Sequence, residues 1–318
     1  MYSIATSLLW WVFIVFISIM FFIDFYLQYN NVSKTIKLKT AIIWSIIWIK
    51  IVFLFAVFFW FYLKKNANLA IANHYVIEFL TSYFLEKALA IDNVFVWVML
   101  FSYFSIPIYL QHKVLLYGVF GAIFLRSIMI FTGTWLITKF YWILYFFGMF
   151  LIFSGIKIFS VKENILTIAQ QPLLKWITSN LRITNTLYGE NFFIRKKGIL
   201  FGTPLILVLI LVEISDIIFA FDSIPAVFSV TTDPFIVFTS NLFAILGLRV
   251  IYFVLLGFLK KFIFLKYSIS VILIFIGIKM LFINIFHIPT SVSLGIIISI
   301  VLITLFINYI FIKKQKIL

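Results

Sequence analysis

The chain has 318 residues, of which 65% are hydrophobic and 11% charged, against about 45–50% and about 25% in ordinary soluble domains. Too much apolar surface would face water, so a soluble globular fold is excluded. The absence of cysteine excludes disulfides, thiolate metal sites and thiol redox chemistry, and the net charge of +15 requires its placement to be read before a nucleic-acid partner is considered.

In chain order, apolar runs near the roughly 20 residues needed to cross a bilayer as helix occur at Ser7–Leu27, Ala41–Leu63, Val76–Tyr103, Val114–Ile137, Trp142–Phe159, Ile199–Phe228, Pro234–Phe258, Leu265–Phe286 and Val292–Ile312. They predict an all-α polytopic membrane protein with about nine spans. Residues 1–75 hold two leading helices, and Met1–Trp10 lacks the basic region of a cleavable signal, so the first span is expected to be retained. The polar, basic stretch Ser160–Gly198 is read as a plain cytoplasmic connector, and residues 287–318 as a trailing helix with a basic end. The 42 phenylalanines carry compositional rather than functional weight.

The basic residues set an expected orientation. With the N-terminus outside, the inner segments carry Lys34, Lys37, Lys39, Lys113, Lys162, Lys175, Arg182, Arg195, Lys196, Lys197, Lys260, Lys261, Lys266, Lys313, Lys314 and Lys316, and the outer ones only Lys64, Lys65 and Lys139. The reading is N-out and C-in in the cell inner membrane. The positive charge then anchors the protein beside anionic lipid, and no nucleic-acid partner is expected.

Three segment pairs recur in the same order on either side of the connector. Glu86-Lys-Ala-Leu-Ala-Ile-Asp92-Asn93 matches Asp216-Ile-Ile-Phe-Ala-Phe-Asp222-Ser223; Gly121-Ala-Ile-Phe-Leu-Arg126 matches Ala244-Ile-Leu-Gly-Leu-Arg249; Ile152-Phe-Ser-Gly155-Ile-Lys157 matches Ile274-Phe-Ile-Gly277-Ile-Lys279. The offsets are 130, 123 and 122 residues. Each unit, 76–159 and 199–286, spans three helices. An odd number of spans places the units in opposite senses, the inverted-repeat plan of many secondary transporters, with a site near mid-membrane where the units meet.

Five of the ten acids, Glu86, Asp92, Glu213, Asp216 and Asp222, lie inside two apolar spans. At insertion costs of about 2.5–3.5 kcal/mol each, they add to more than about 10 kcal/mol. Bound cations, protonation, or pairing with Arg126, Arg249 and Lys87 must offset that cost. Glu213 and Asp216 lie roughly 60° apart on one helix face, whereas Asp222 sits roughly 120° from Asp216. Pro225 removes a hydrogen bond from the carbonyl of Phe221 and is expected to kink the helix beside Asp222, letting carboxylates converge.

Carboxylates with Asn93 and Ser223 are hard oxygen ligands suited to manganese, magnesium or calcium. His74, His112 and His287 are placed at span ends, which disfavours zinc or copper. The expected metal-ligating set is therefore Glu86, Asp92, Asn93, Glu213, Asp216, Asp222 and Ser223, balanced by Arg126 and Arg249. Gly118, Gly121, Gly155 and Gly277 are read as close helix packing, Lys157 and Lys279 as lysines reaching the interface, and Asp24 as either a solvated helix end or an entrance ligand.

The stretches EKALAIDNVFVWVMLFSYFS, YGVFGAIFLRSIMIFTGTWLI, LVLILVEISDIIFAFDSIPAVFSVTTDPF, TSNLFAILGLR and ILIFIGIKML resemble the TerC family of integral membrane proteins, nearest its Alx branch, over almost the whole chain. The resemblance implies Mn2+ export with the five intramembrane acids as ligands, no prosthetic group and no enzymatic activity. The alternative it carries is a membrane redox modulator or tellurite-resistance-like stress accessory acting through a protein partner, for which a cysteine-free chain supplies no chemistry of its own. A third possibility is an envelope stress factor whose acids are structural.

Overall fold

The computed structural model describes residues 3–29, 38–140, 142–160, 182–184, 186–196, 198–256, 265–282 and 288–315, and within them a few side chains, including those of Asp24, Asp92 and Asp222, lie outside the described set. Nine helices lie among the described residues: α1 Ser7–Tyr29, α2 Leu38–Asn66, α3 Leu69–Tyr103, α4 Ile108–Lys139, α5 Ile143–Ser160, α6 Pro204–Phe228, α7 Pro234–Leu256, α8 Leu265–Leu281 and α9 Thr290–Gln315. Strands β1 Phe193–Lys196 and β2 Ile199–Gly202 precede α6. Five helices, α2, α4, α6, α7 and α9, contain stretches long and apolar enough to cross a membrane, and α1, α5 and α8 contain shorter apolar ones. Side chains such as Trp11, Leu54 and Phe306 are more than three-fifths exposed on the outer helices, a surface that suits hydrocarbon and not water.

Several boundaries differ from the sequence reading, two of them for clear local reasons. Residues Ile199–Gly202 form a strand rather than the first turn of a span, because Gly198 adopts φ +79° and closes a two-residue hairpin pairing Lys196 with Ile199. The helix starts at Pro204, with Thr203 as its cap accepting from the Leu205 amide. The distal end of the connector is therefore structured, and residues 161–181 lie outside the described residues. The other difference is α3, which begins at Leu69 instead of Val76 because the Asn68 side chain caps it, accepting from the Ile71 amide at 2.8 Å.

Pro225 sits in the last turn of α6 without interrupting it. Helix α6 stays helical through Asp222 and Pro225, where the bond to the Phe221 carbonyl is forfeited. The next turn is closed by the Ser229 amide donating to the Pro225 carbonyl.

Helix packing is reciprocal. Helix α3 packs on α7 as α4 packs on α6, α5 meets α6 as α8 meets α3, and the pairs α3–α6, α4–α7 and α5–α8 are self-equivalent. Along α5–α8 the correspondence reaches single residues. A Cβ on Gly155 would press on the Ser270 carbonyl and Ile274, and one on Gly277 on the Gly148 carbonyl and Ile152. Exchanging the two helices by the 122-residue offset turns the first set into the second: Gly155 becomes Gly277, Ser270 becomes Gly148 and Ile274 becomes Ile152. Small residues thus let these helices approach backbone to backbone, as in lipid-embedded packing.

Beside the two triads, α1 and α2 join α3 and α7 in an aromatic core around Phe13, Phe55, Phe59, Phe79, Phe235 and Phe243. Its rings meet mostly edge-on or tilted, for example Phe13 against Phe235 at 5.8 Å and 75°. The start of the chain is tied in by Asp233. Its Oδ1 caps α7 by accepting from the Phe235 and Ile236 amides, and its Oδ2 accepts from the Ile4 amide at 2.6 Å.

Candidate functional site

The centre of the molecule is an ion cluster shared by three helices. Arg126 of α4 donates from Nε to Asp216 Oδ2 at 3.0 Å and from Nη2 to Asp216 Oδ1 at 2.8 Å, so its fork grips the α6 carboxylate with two bonds. Its Nη1 donates to Glu86 Oε2 of α3 at 3.0 Å. Asn93 donates to Asp216 Oδ1 at 2.9 Å, and Asn241 of α7 donates to Glu86 Oε1 at 2.7 Å. Glu86, Asn93, Arg126, Asp216 and Asn241 are each no more than 2% exposed. In their ionised forms two carboxylates face one guanidinium, leaving one negative charge in a dry interior.

The cluster has acceptors to spare. Asn93 Oδ1, Asn241 Oδ1 and Ser223 Oγ are buried and make no hydrogen bond among the described residues. A small cavity joins Glu86, Asn93, Arg126 and Ser223, with Leu89, Phe219 and Leu273 on its apolar side. Buried oxygens left unsatisfied are costly, and this set is hard and neutral or anionic, the donor chemistry of Mn2+, Mg2+ or Ca2+. Among the described residues no three Asp, Glu or His side chains come together closely enough to hold a metal by themselves.

Other expected site residues fall elsewhere. Glu213 opens into a second cavity, which it shares with Asp216, Gly118 and Trp97 and which Glu86 does not line. Arg249 is 3% exposed on α7. Asp92 and Asp222 lie on α3 and α6, but their side chains are outside the described residues. Gly118 and Gly121 are more than packing glycines: a Cβ on Gly121 would collide with the Glu213 carboxylate. Lys279 is 8% exposed and does not reach the surface, whereas Lys157 is exposed. His112 lies near the start of α4, and its side chain is buried.

One residue of the cluster, Asn241, was missed. Asn241 belongs to a run Thr239-Ser-Asn241 at the start of an apolar helix, and three consecutive polar residues fully buried there were the available signal. Glu78, 7% exposed and 3.1 Å from His74 Nε2, is a further buried acid of α3.

The helices and the charged cluster define an all-helical integral membrane protein with a polar interior. The family model for the integral membrane protein TerC family matches residues 71–316, and the chain belongs to that family. It is 55% identical over 316 residues to a Photorhabdus laumondii protein, covering 99% of this chain and 98% of that one, and 54% identical over 308 residues to an Escherichia coli K12 protein, covering 97% and 96%. Both relatives are named as candidate membrane-bound redox modulators, Alx. A Myxococcus xanthus membrane protein without assigned function is 40% identical over 295 residues, 93% of this chain and 90% of its own. No solved structure matches.

Proposed function

We propose that this TerC-family protein exports a divalent cation, Mn2+ before others, across the inner membrane through the Glu86–Asp216 cluster. One observation carries the reading: two carboxylates from different helices share a single arginine deep in an apolar bundle, beside a cavity that also presents Asn93 Oδ1 and Ser223 Oγ. Such groups inside a membrane are expensive and mark ion pathways.

In this reading the bidentate Arg126 stands in for the cargo's charge when none is bound. An arriving cation takes Glu86, Asp216, Asn93 and Ser223 as ligands, with Asp92, Asp222 and Glu213 continuing a ladder of acids toward the faces and Arg249 balancing the second half. The nine helices cross the membrane with the N-terminus outside and the C-terminus cytoplasmic. The two triads are inverted repeats, which the reciprocal packing supports. Rocking of one triad against the other then exposes the central site to each face in turn.

The test is Mn2+ movement in proteoliposomes. Wild-type protein should release trapped Mn2+ and the Asp216→Asn protein should not; equal rates would sink the reading. The name of the relatives favours a second reading, a redox accessory acting through a partner protein. A haem or flavin absorption spectrum in the purified protein would support that one.

A further inference from the structure

One face of α3 carries a polar side chain at every fourth position from near its start to the central cluster. His74, Glu78, Ser82 and Glu86 follow at four-residue steps, each a turn of about 40° and a rise of about 6 Å. His74 is largely exposed, whereas Glu78, Ser82 and Glu86 are buried. His74 Nε2 meets Glu78 Oε1 at 3.1 Å. Glu78 Oε2 and Ser82 Oγ are sealed from solvent and make no hydrogen bond among the described residues. Oxygens left in that state are costly, and a helix-surface pair accounts for His74 and Oε1 but not for the two free oxygens behind them.

The stripe runs between the two units of the molecule. Besides His74, the groups acting on Glu78 are Thr231, Asp233 and Lys279, all of them from the turn before α7 or from α8. Lys279, itself buried, supplies the opposing charge. Two helical turns deeper, Glu86 meets Asn241 of α7. The two cavities at the centre lie past that level: the α3 residues lining them are Glu86, Leu89, Ala90, Asn93 and Trp97. Neither reaches the His74 end. The repeat does not account for the stripe, because the 130-residue offset puts Pro204, Val208 and Val212 in place of His74, Glu78 and Ser82. The 122-residue offset likewise puts the exposed Lys157 in place of the buried Lys279.

We infer that Glu78 is a gate ligand for a divalent cation, held by Lys279 while the His74 end is closed and met by the cation, on its way from Glu86 past Ser82, when the two units part there. A small hard ion that keeps much of its water needs only one or two carboxylates at such a stop. Lys279 then does for Glu78 what Arg126 does for the centre. The inference rests on the transport reading and adds to it a route and a gate, at the end of the bundle where α3 and α7 begin.

The experiment pairs flux with binding. In proteoliposomes Glu78→Gln should move Mn2+ about tenfold more slowly than the wild type or slower still, the effect of a barrier raised by about 1.4 kcal/mol. The same variant in detergent should bind radioactive Mn2+ as tightly as the wild type, because the central cluster is intact. Flux at the wild-type rate would take Glu78 off the route, and weakened binding would make it part of the centre or of the fold; either result overturns the inference. Ser82→Cys gives an independent readout in a chain without cysteine. Methanethiosulfonate ethylammonium added on the His74 side should modify it. Thr81→Cys should stay unmodified, since position 81 turns away from the stripe and its native hydroxyl bonds the Ile77 carbonyl at 2.6 Å. An inert Ser82→Cys, or equal modification of both, would also overturn the inference. Should the wild type move no Mn2+, the transport reading falls and the cysteine pair decides the gate alone. Should wild type and Glu78→Gln move Mn2+ equally well, the gate falls and the transport reading stands.

Discussion

Arg126 and Asp216 meet side-on through two hydrogen bonds of 3.0 and 2.8 Å, both residues almost fully buried. A fork of this kind fixes the angle between α4 and α6 as well as their charge, because a planar guanidinium satisfies a carboxylate in one orientation only. Lysine retains the charge and loses the angle.

Arg126→Leu leaves Glu86 and Asp216 facing each other without a counter-charge. Removing one partner of a buried pair typically costs about 3–5 kcal/mol, so yield and melting temperature in detergent should fall sharply. The double variant Arg126→Leu with Asp216→Asn should recover part of the loss, and a double variant no better than the single one would show that the two residues are not coupled.

Glu86→Gln preserves shape while removing charge, so the protein should insert normally and Mn2+ efflux should collapse. Whole-cell manganese measured by elemental mass spectrometry should rise. Asn241→Leu strips Glu86 Oε1 of its donor and leaves a buried acceptor unmet at about 1–3 kcal/mol. Its effect should appear in stability and in Mn2+ affinity together, which a purely structural asparagine would not produce.

The α5–α8 seam makes a symmetric prediction. Gly155→Leu and Gly277→Leu each drive a side chain into the facing backbone, and overpacking of this kind costs about 1–3 kcal/mol or more. The two variants should lose thermal stability by similar amounts. Widely unequal losses would mean that the reciprocity of the seam is only geometric.

The natural chain has no cysteine, so single cysteines report topology without further engineering. Cysteines at Lys196 and Lys313 should both be labelled by membrane-impermeant maleimide only after the cytoplasmic face is opened. Labelling of one from each side would rule out the inverted plan.

Much of the architecture was readable from the primary structure because lipid imposes a simple rule: apolar runs become helices and charges inside them stand out. Glu86, Arg126 and Asp216 were visible for that reason. Asn241 was not, since helical periodicity places a residue on a face of its own helix and says nothing about which neighbour covers that face. The pairing of Arg126 with both Glu86 and Asp216 is a property of three helices, set by packing. The hairpin before α6 was hidden differently: Ile199–Gly202 is as apolar as the helix that follows, so the run looked continuous, and only Gly198 marked the turn.

Asp233 binds the amide of Ile4 across 229 positions of chain. During synthesis that carboxylate does not exist until more than two-thirds of the polypeptide has been made. The first helix must therefore wait without this anchor until five later ones have been made. The start of the chain thus settles late, and any fusion placed ahead of Ser3 competes with a late contact of folding rather than an early one.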